Sequence, residues 1–512
     1  MEANSFWENF MANCSPDFLR YNALDAACTL EIHNAIWDDL SEGYHPANDM
    51  TVALLEPLIF MMSRGIAIDR DALEITKSDI TRTLNDKQAE LDALCGRPLN
   101  CNSPKDCQKY FYIELGITPY YNNGRVTVDD AALQRLCRGT AKRPPIREAK
   151  LVQDIRGLQK LFGTYLDIEF DTDNRMRCSY NPRGTKFGRL SSSKTIFGTG
   201  TNQQNLPQEF KKFLVADPGY VLWEVDKRQA EWVVVAYLTG DANMISVVES
   251  GMDAHIHTAS LMFKCDKEII AKESKLIGNN NDSDLISMLR AEAGIDVKYP
   301  RTMPMRQCGK KSNHGLNYDE GPNTFALLNE LEQTEAKVIV ELYHSIYPGI
   351  RIWYEAIKRQ LQKDRALTNC FGRKVRFMDS WGPDLWKAAY SMLPQSTVVD
   401  SLNQGMRRVY SDTWITQELN VDLLAQVHDS ILMQVPIEVA FNAEKFNALK
   451  ETVYDYVSPE LCYNNRKFKL ATDSKMGYNW SGFHADHNPD GMQELTTNNY
   501  TSVVGYLNAR KP

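Results

Sequence analysis

Between Arg306 and Tyr318 the chain reads Arg306-Gln-Cys-Gly-Lys310-Lys-Ser-Asn-His314-Gly-Leu-Asn-Tyr318, placing a guanidinium, an ammonium, an imidazole and a phenol at steps of four residues. On an α-helix each such step turns the side chain by only about 40° and climbs ~6 Å, so the four groups line one slowly drifting stripe roughly 18 Å long. A nucleoside triphosphate has that length. Cations at the N-terminal end would meet phosphates, helped by the positive end of the helix dipole, while His314 and Tyr318 would reach sugar and base. Taken alone, the segment also fits a solvated helix with a basic edge.

At 512 residues, 43% of them apolar, the chain exceeds one ordinary core and should form several domains. It has no run of about 18 or more apolar residues, no charged-then-apolar leader and no repeat period, which predicts a cytosolic protein with no membrane partner. The eleven cysteines include no C-x-x-C pair, which predicts reduced thiols and no zinc site. A net charge of −8 does not exclude nucleic acid, because a cleft can concentrate Lys and Arg while the outer surface stays acidic.

Texture changes along the chain. Residues 17–40 have the period of one amphipathic helix. Between 51 and 95 two helical patterns flank Arg64-Gly65-Ile-Ala-Ile-Asp69, a bend into a new helix. Residues 97–130 are rich in Pro, Asn, Gly and Tyr and 146–170 are helical again, which predicts a helical arm with a loop-rich tip. Residues 171–218 mix turn formers with Arg and Lys, as ordered loops and short strands over a polyanion would. Val221–Val225 predicts a buried strand. Residues 230–370 are mostly helical, with a polar interruption at Gly278–Asp284. Leu423–Val427 and Ile431–Val435 predict two strands with His428-Asp429-Ser430 at their turn.

Two aspartates sit at strand ends: Asp226 directly follows Val221–Val225, and Asp429 occupies the tight turn. Two carboxylates carried on separate strands can hold a pair of Mg²⁺ ions about 3.5–4 Å apart, lowering the pKa of an attacking hydroxyl and stabilising a leaving pyrophosphate. Either aspartate could equally be a turn or cap residue bonded to nearby amides. Their company favours chemistry, since the phosphate-sized cationic stripe lies between them in sequence.

These segments resemble the family A, polymerase I-like DNA polymerases. Asp226-Lys-Arg-Gln229-Ala-Glu231 is similar to the first palm motif, Asp-Tyr-Ser-Gln-Ile-Glu. Arg306–Tyr318 resembles the fingers motif Arg-x-x-x-Lys-x-x-Asn-Phe-Gly-x-x-Tyr, and Gln426-Val-His428-Asp429 the second palm motif, Gln-Val-His-Asp-Glu. Gly188-Arg189-Leu-Ser-Ser192 and Asn202-Gln-Gln204-Asn205-Leu-Pro207 resemble a further pair of motifs, and Asp253-Ala-His255 and Pro394-Gln395 fall in the matching order. The similarity runs weakly from about residue 17 to 480.

The resemblance implies an α+β right-hand fold with an antiparallel-sheet palm, helical fingers and a helical thumb. It divides the chain into an exonuclease remnant (1–45), thumb (46–165), palm (166–240 and 381–485), fingers (241–380) and a C-terminal tail (486–512). It implies a DNA-templated DNA polymerase in replication, with two Mg²⁺ ions, primer–template DNA and deoxynucleoside triphosphates as cofactors and substrates. Asp226, Asp429 and the Lys227 carbonyl would hold the metals. Arg306, Lys310 and His255 would hold the triphosphate, with Lys310 also catalytic. Gln229, Glu231, His314 and Tyr318 would complete the nucleotide site, Glu231 by excluding a 2′-hydroxyl. Arg189, Gln204, Asn205, Gln395 and His428 would contact primer and template through acceptors common to all correct pairs.

Alternatives accompany these roles. Gln204, Asn205 and Gln395 could bond loop backbone, Arg189 could be a surface cation, and His255 with His257 has the look of a metal pair, against which stands the match to Asp-x-His. The chain also departs from the family: Lys227-Arg228 replaces Tyr-Ser, adding two charges beside the metals, Ser430 replaces Glu, and the stretch from Phe263 to Arg306 is long enough to hold an insertion. Tyr21-x-x-x-Asp25 resembles the last motif of a 3′→5′ exonuclease whose companions are missing. The expectation is a phage-type enzyme without intrinsic editing, in bacterial or infected-host cytosol, partnered by a separate exonuclease polypeptide or processivity factor. Competing functions are a single-subunit RNA polymerase, which should lack the Glu231 gate, and a non-catalytic DNA-binding subunit, which should lack Asp226 or Asp429.

Overall fold

Strand β1 (Tyr220–Lys227) places apolar Val221, Trp223 and Val225 on one face and Leu222 on the other, so it needs cover on both sides. The structure, a computed structural model, describes residues 15–38, 42–122, 124–138, 143–278, 280, 282–297, 300, 303–329, 331 and 333–510. In it β1 is the central strand of a five-stranded sheet. Its neighbours are β3 (Ser430–Pro436) and β4 (Thr472–Gly477). Beyond them lie β2 (Asp422–Val427), beside β3, and β5 (Gln493–Leu495), beside β4, and every adjacent pair is antiparallel.

One face of the sheet sets Val221, Trp223 and Val225 with Ile431 and Met433 into a core shared with Phe446 and Val453. These last two belong to the helix Ala443–Val457. The other face sets Leu222 and Leu432 against Phe210, Phe213 and Trp480. Alternation of side chains along a strand therefore sends Glu224 and Asp226 to the second face and Lys227 to the first.

Residues 54–234, 398–461 and 466–512 form one compact unit, which holds this sheet, and residues 1–53, 235–397 and 462–465 form another. The sheet-bearing unit also contains the long helices Arg70–Cys95 and Arg147–Leu161 with a core of their own around Leu91, Phe111, Leu136 and Val152. The predicted bend at Gly65 has φ of 61°, a conformation glycine adopts without strain, and leads into the short strand Ile66–Ile68. The tail showed no pattern in the sequence, yet it supplies β5 and the helix Tyr500–Asn508. A three-residue strand and a helix burying only Val503 and Leu507 carry too little periodicity to be read.

The other unit is largely helical. Helix α1 (Pro16–Trp37) matches the amphipathic segment but buries none of its residues, and the first 14 residues of the proposed remnant lie outside the described residues. Helices α2 (Ala254–Phe263), α3 (Lys267–Ile277), α4 (Ser283–Glu292) and α5 (Met305–Leu316) follow, the polar interruption falling between α3 and α4, with residues 279 and 281 outside the description. Glu273 of α3 and Arg290 of α4 form a buried ion pair with side chains 0% and 5% exposed. Glu273 Oε2 accepts the N–H of Met305 at 2.7 Å, and Arg290 also donates to the carbonyls of Pro300 and Met303. This stretch thus caps the N-terminus of α5, whose own cap position, Pro304, offers no side-chain acceptor. The ten cysteines among the described residues are free thiols, and no described helix is long and apolar enough to cross a membrane.

Candidate active site

The turn between β2 and β3 puts His428 at φ 52°, a left-handed conformation that a non-glycine residue holds only when its surroundings fix it. Two glutamines do so. Gln204 Oε1 accepts the His428 N–H at 3.0 Å, and Gln426 Nε2 donates to the His428 carbonyl at 2.6 Å. Gln204 Nε2 donates in turn to the Gln426 carbonyl at 2.7 Å. Gln204 thus uses both ends of its amide on backbone, the alternative raised from the sequence, and acts as a strut for the hairpin.

The strut presents Asp429 beside Asp226. Lys227 N–H donates to the Asp429 carbonyl at 3.1 Å, and Ser430 is paired directly with Asp226 across the sheet. The Asp226 carboxyl reaches solvent, but protein fills most of the space around it. That desolvation, with the like charges of Glu224 and Asp429, pushes it up to about 7. Burial and the nearby Glu231 also raise Asp429, against Arg189, His428 and Lys227. Asp429 Oδ1 is buried with no hydrogen-bond partner among the described residues. Two crowded carboxylates and an orphaned anionic oxygen are the donor set of a hard divalent cation, so the residues fit one.

Sequence reasoning missed Glu224. Its Oε1 accepts from Ser430 Oγ at 3.2 Å and Trp480 Nε1 at 3.0 Å, which places a third carboxylate on the same face, two residues before Asp226. The period of two along β1 was the available signal. The charges expected beside the metals need correcting as well. Lys227 points to the opposite face, where Nζ donates to the Val457 carbonyl and Ser458 Oγ, and burial lowers it to about 7. Arg228 is exposed, its Nη1 at 3.8 Å from Asp473 Oδ1.

Arg189 is ion-paired with Glu231. Arg189, Gln204, Asn205 and His428 together line a cavity of about 240 Å³, also walled by Ser192 and Gln426. Four of the five residues expected at DNA are therefore gathered in one place. The fifth, Gln395, is half-buried in the helix Pro383–Ser411, next to Pro394, and Gln229 lies in a turn at φ 50°.

The helical unit holds the other predicted set. On α5, Met305, Cys308, Gly309, Ser312, Asn313 and Leu316 are buried, while Lys310 and His314 are exposed and Arg306 half-buried, so the stripe is the outward face. The helix ends at Leu316, two residues short of expectation, because Asp319 turns left-handed at φ 61°. Tyr318 nonetheless stays edge-on to His314, ring centroids 5.9 Å apart. Asp253 caps α2 through Oδ1 and receives Arg306 Nε and Nη2 on Oδ2 at 3.0 and 2.8 Å. His255 is buried, and that burial, together with Arg306, Lys310 and His314 and against Asp253, lowers it to about 4.

Comparison with known proteins places these motifs in company. The model of DNA polymerase family A matches residues 70–279 and 270–482. The thermostable DNA polymerase I of Thermus filiformis is 28% identical over 429 residues, covering 78% of this chain and 45% of that protein. DNA polymerase I of Pseudomonas aeruginosa is 25% identical over 439 residues, covering 81% and 43%. The chain spans about half the length of these relatives. Among solved structures, the POL domain of Pol1 from M. smegmatis, in complex with DNA primer-template and dNTP, superposes with a TM-score of 0.67 at 22% identity, over 84% of this chain and 70% of that one.

Proposed function

Because the chain belongs to DNA polymerase family A and has its right-hand α+β fold, we propose that it is a DNA-templated DNA polymerase that extends a primer 3′ end with deoxynucleoside triphosphates. In that reaction the primer 3′ hydroxyl gives up its proton to water, its oxygen forms a bond to the α-phosphorus, the bond from that phosphorus to the bridging oxygen breaks, and pyrophosphate leaves. The carrying observation is the pair Asp226 and Asp429, set side by side by the β1–β3 ladder with an orphaned oxygen on Asp429. Two Mg²⁺ ions, when bound there, supply Lewis-acid activation of the attacking hydroxyl and charge neutralisation at the leaving group. Arg306, Lys310 and His255 bind the triphosphate, and His314 and Tyr318 border its sugar and base. Glu231, held by Arg189, excludes the 2′-hydroxyl. Arg189, Asn205, His428 and Gln395 contact primer and template, with Gln204 supporting the hairpin. In domain terms, residues 46–165 act as thumb, 166–240 and 381–485 as palm and 241–380 as fingers.

A primer-extension assay on a defined template, with deoxy- or ribonucleotides and with a matched or mispaired end, tests this reading. Deoxynucleotide-dependent extension is expected, and extension from ribonucleotides alone would replace the reading with a single-subunit RNA polymerase. The mispaired end should persist, because Tyr21 and Asp25 stand on a helix that buries none of its residues and so has no packed nuclease core around it, and degradation of that end lost in Asp25→Ala would overturn this part of the reading.

Metal should also register in stability. The folded state holds the Asp226 proton up to about 7, whereas an ordinary carboxylate releases it near 3.8. The metal-free protein therefore loses stability as pH rises through that window. Mg²⁺ takes the proton's place, so its increase in melting temperature should be larger near pH 8 than near pH 5.5, and an equal shift at both would separate the metal from these carboxylates.

His314 stands where the resemblance puts a Phe or Tyr and is exposed beside Tyr318. His314→Tyr should raise incorporation of 3′-deoxy terminators relative to His314→Phe, because only the phenol adds a hydrogen-bonding group. Equal incorporation would show that position 314 does not sense the sugar.

A further inference from the structure

Behind the triphosphate stripe lies a polar cluster for which the proposed reaction has so far had no use. Asn313 of α5 is 1% exposed, and each end of its amide is engaged. Its Oδ1 accepts from Thr258 Oγ1 at 2.9 Å, and Thr258 Oγ1 is in turn 3.1 Å from the Tyr347 hydroxyl. Its Nδ2 donates to the carbonyl of Ala254 at 3.2 Å and lies 3.0 Å from His255 Nδ1. A carbonyl can only accept, so the amide is oriented with Nδ2 towards the Ala254 carbonyl and Oδ1 towards the Thr258 hydroxyl. An amide NH₂ can only donate, so His255 Nδ1 must be the acceptor and its proton must sit on Nε2.

The helices come close enough for this because position 309 is glycine. A Cβ there would collide with the His255 carbonyl and reach Ala259 Cβ at 3.1 Å. Asn313 follows one turn later on the same buried face, and Arg306 and Lys310 occupy the outward side of α5.

We propose that Asn313 is a positioning residue that locks His255 as the neutral Nε2–H tautomer, so that this imidazole meets a triphosphate oxygen as a hydrogen-bond donor and not as a third cation. The inference rests on the polymerase reading for its substrate, though the tautomer stands on geometry alone. Its chemical sense is division of labour. Arg306 and Lys310 carry the charge that attracts the triphosphate, and a third positive charge among them would be repelled by both. A fixed N–H dipole adds direction without that repulsion and without a proton to lose when pyrophosphate leaves.

Nitrogen NMR of histidine-labelled protein, with the His255 signals identified by their loss in His255→Gln, tests the tautomer. Wild type should show a protonated Nε2 and a bare Nδ1. Asn313→Ala should release that preference, and the isosteric Asn313→Asp, which accepts where asparagine donates, should put a proton on Nδ1 and raise the pH at which His255 titrates. Triphosphate affinity should fall about tenfold in Asn313→Ala and not fall further when that change is added to His255→Ala. A protonated Nδ1 in wild type, or an equal loss of affinity with and without His255, overturns the inference. An Nε2–H wild type that binds no triphosphate would overturn its phosphate half together with the polymerase reading.

Discussion

Primer extension is expected to drop by at least about a thousandfold when Asp226 or Asp429 becomes asparagine, while primer–template binding is largely kept. Asparagine preserves shape and can still accept a hydrogen bond, but it brings no negative charge to a cation. The same substitutions should make the metal-free protein more resistant to heat above neutral pH. Each aspartate is pushed upward by desolvation and by neighbouring carboxylates, Glu224 and Asp429 for one and Glu231 for the other, so removing its charge relieves a repulsion. Activity and stability therefore move in opposite directions, a pairing that simple misfolding cannot produce. Extension retained in either variant would remove the aspartates from the reaction.

The second large effect belongs to Arg290. Its partner Glu273 is fully buried, so Arg290→Met should leave an uncompensated carboxylate and destabilise the helical unit by about 3–5 kcal/mol. Burial already raises Glu273, and loss of its cation should drive it further towards the neutral acid, which grips the Met305 N–H less well. Because the chain has two units, a single unfolding free energy is not well defined, and amide hydrogen exchange along α3, α4 and α5 is the appropriate measurement. Faster exchange confined to these helices, with a raised KM for the nucleotide, is the expected result. Replacing both partners with apolar residues should recover protection along α3 and α4 but not at the start of α5, where the Met305 N–H would then lack its acceptor. Unchanged exchange in Arg290→Met would show that the pair does not hold α5.

Much of this was legible in the sequence because function and period coincided. The stripe at 306–318 has helical spacing, and the strands ending at Asp226 and Asp429 are short apolar runs bounded by polar residues. Where one residue answers to two environments, the reading ran out. Gln204 looks like a base-contacting side chain, and nothing local reveals that both ends of its amide are taken by a hairpin more than 200 residues away. Lys227 adjoins Asp226 in sequence, but adjacency along a strand means opposite faces. Asn313 was visible only as one letter of a motif, since its partners sit on a different helix. The clamp from Glu273 to α5 spans 32 residues, with no spacing to betray it.

The buried lysine behind Asp226 has a further consequence. Asp226 and Lys227 are opposite charges on successive residues of a central strand, one on the face that carries Glu224 and the other aimed at a carbonyl in the core. A slip of one residue in the pairing of β1 would exchange them, burying a carboxylate against the Val457 carbonyl and setting an ammonium where Asp226 now stands beside Asp429. The buried carboxylate carries a heavy desolvation and repulsion penalty. Val221, Leu222, Trp223 and Val225 alone would tolerate such a slip, since apolar side chains serve either face, and Glu224 adds its charge to the discrimination. The ion that works and the ion that hides together tell the strand which way round to lie, so a chain that has folded to its lowest state has already checked the alignment of its own chemistry.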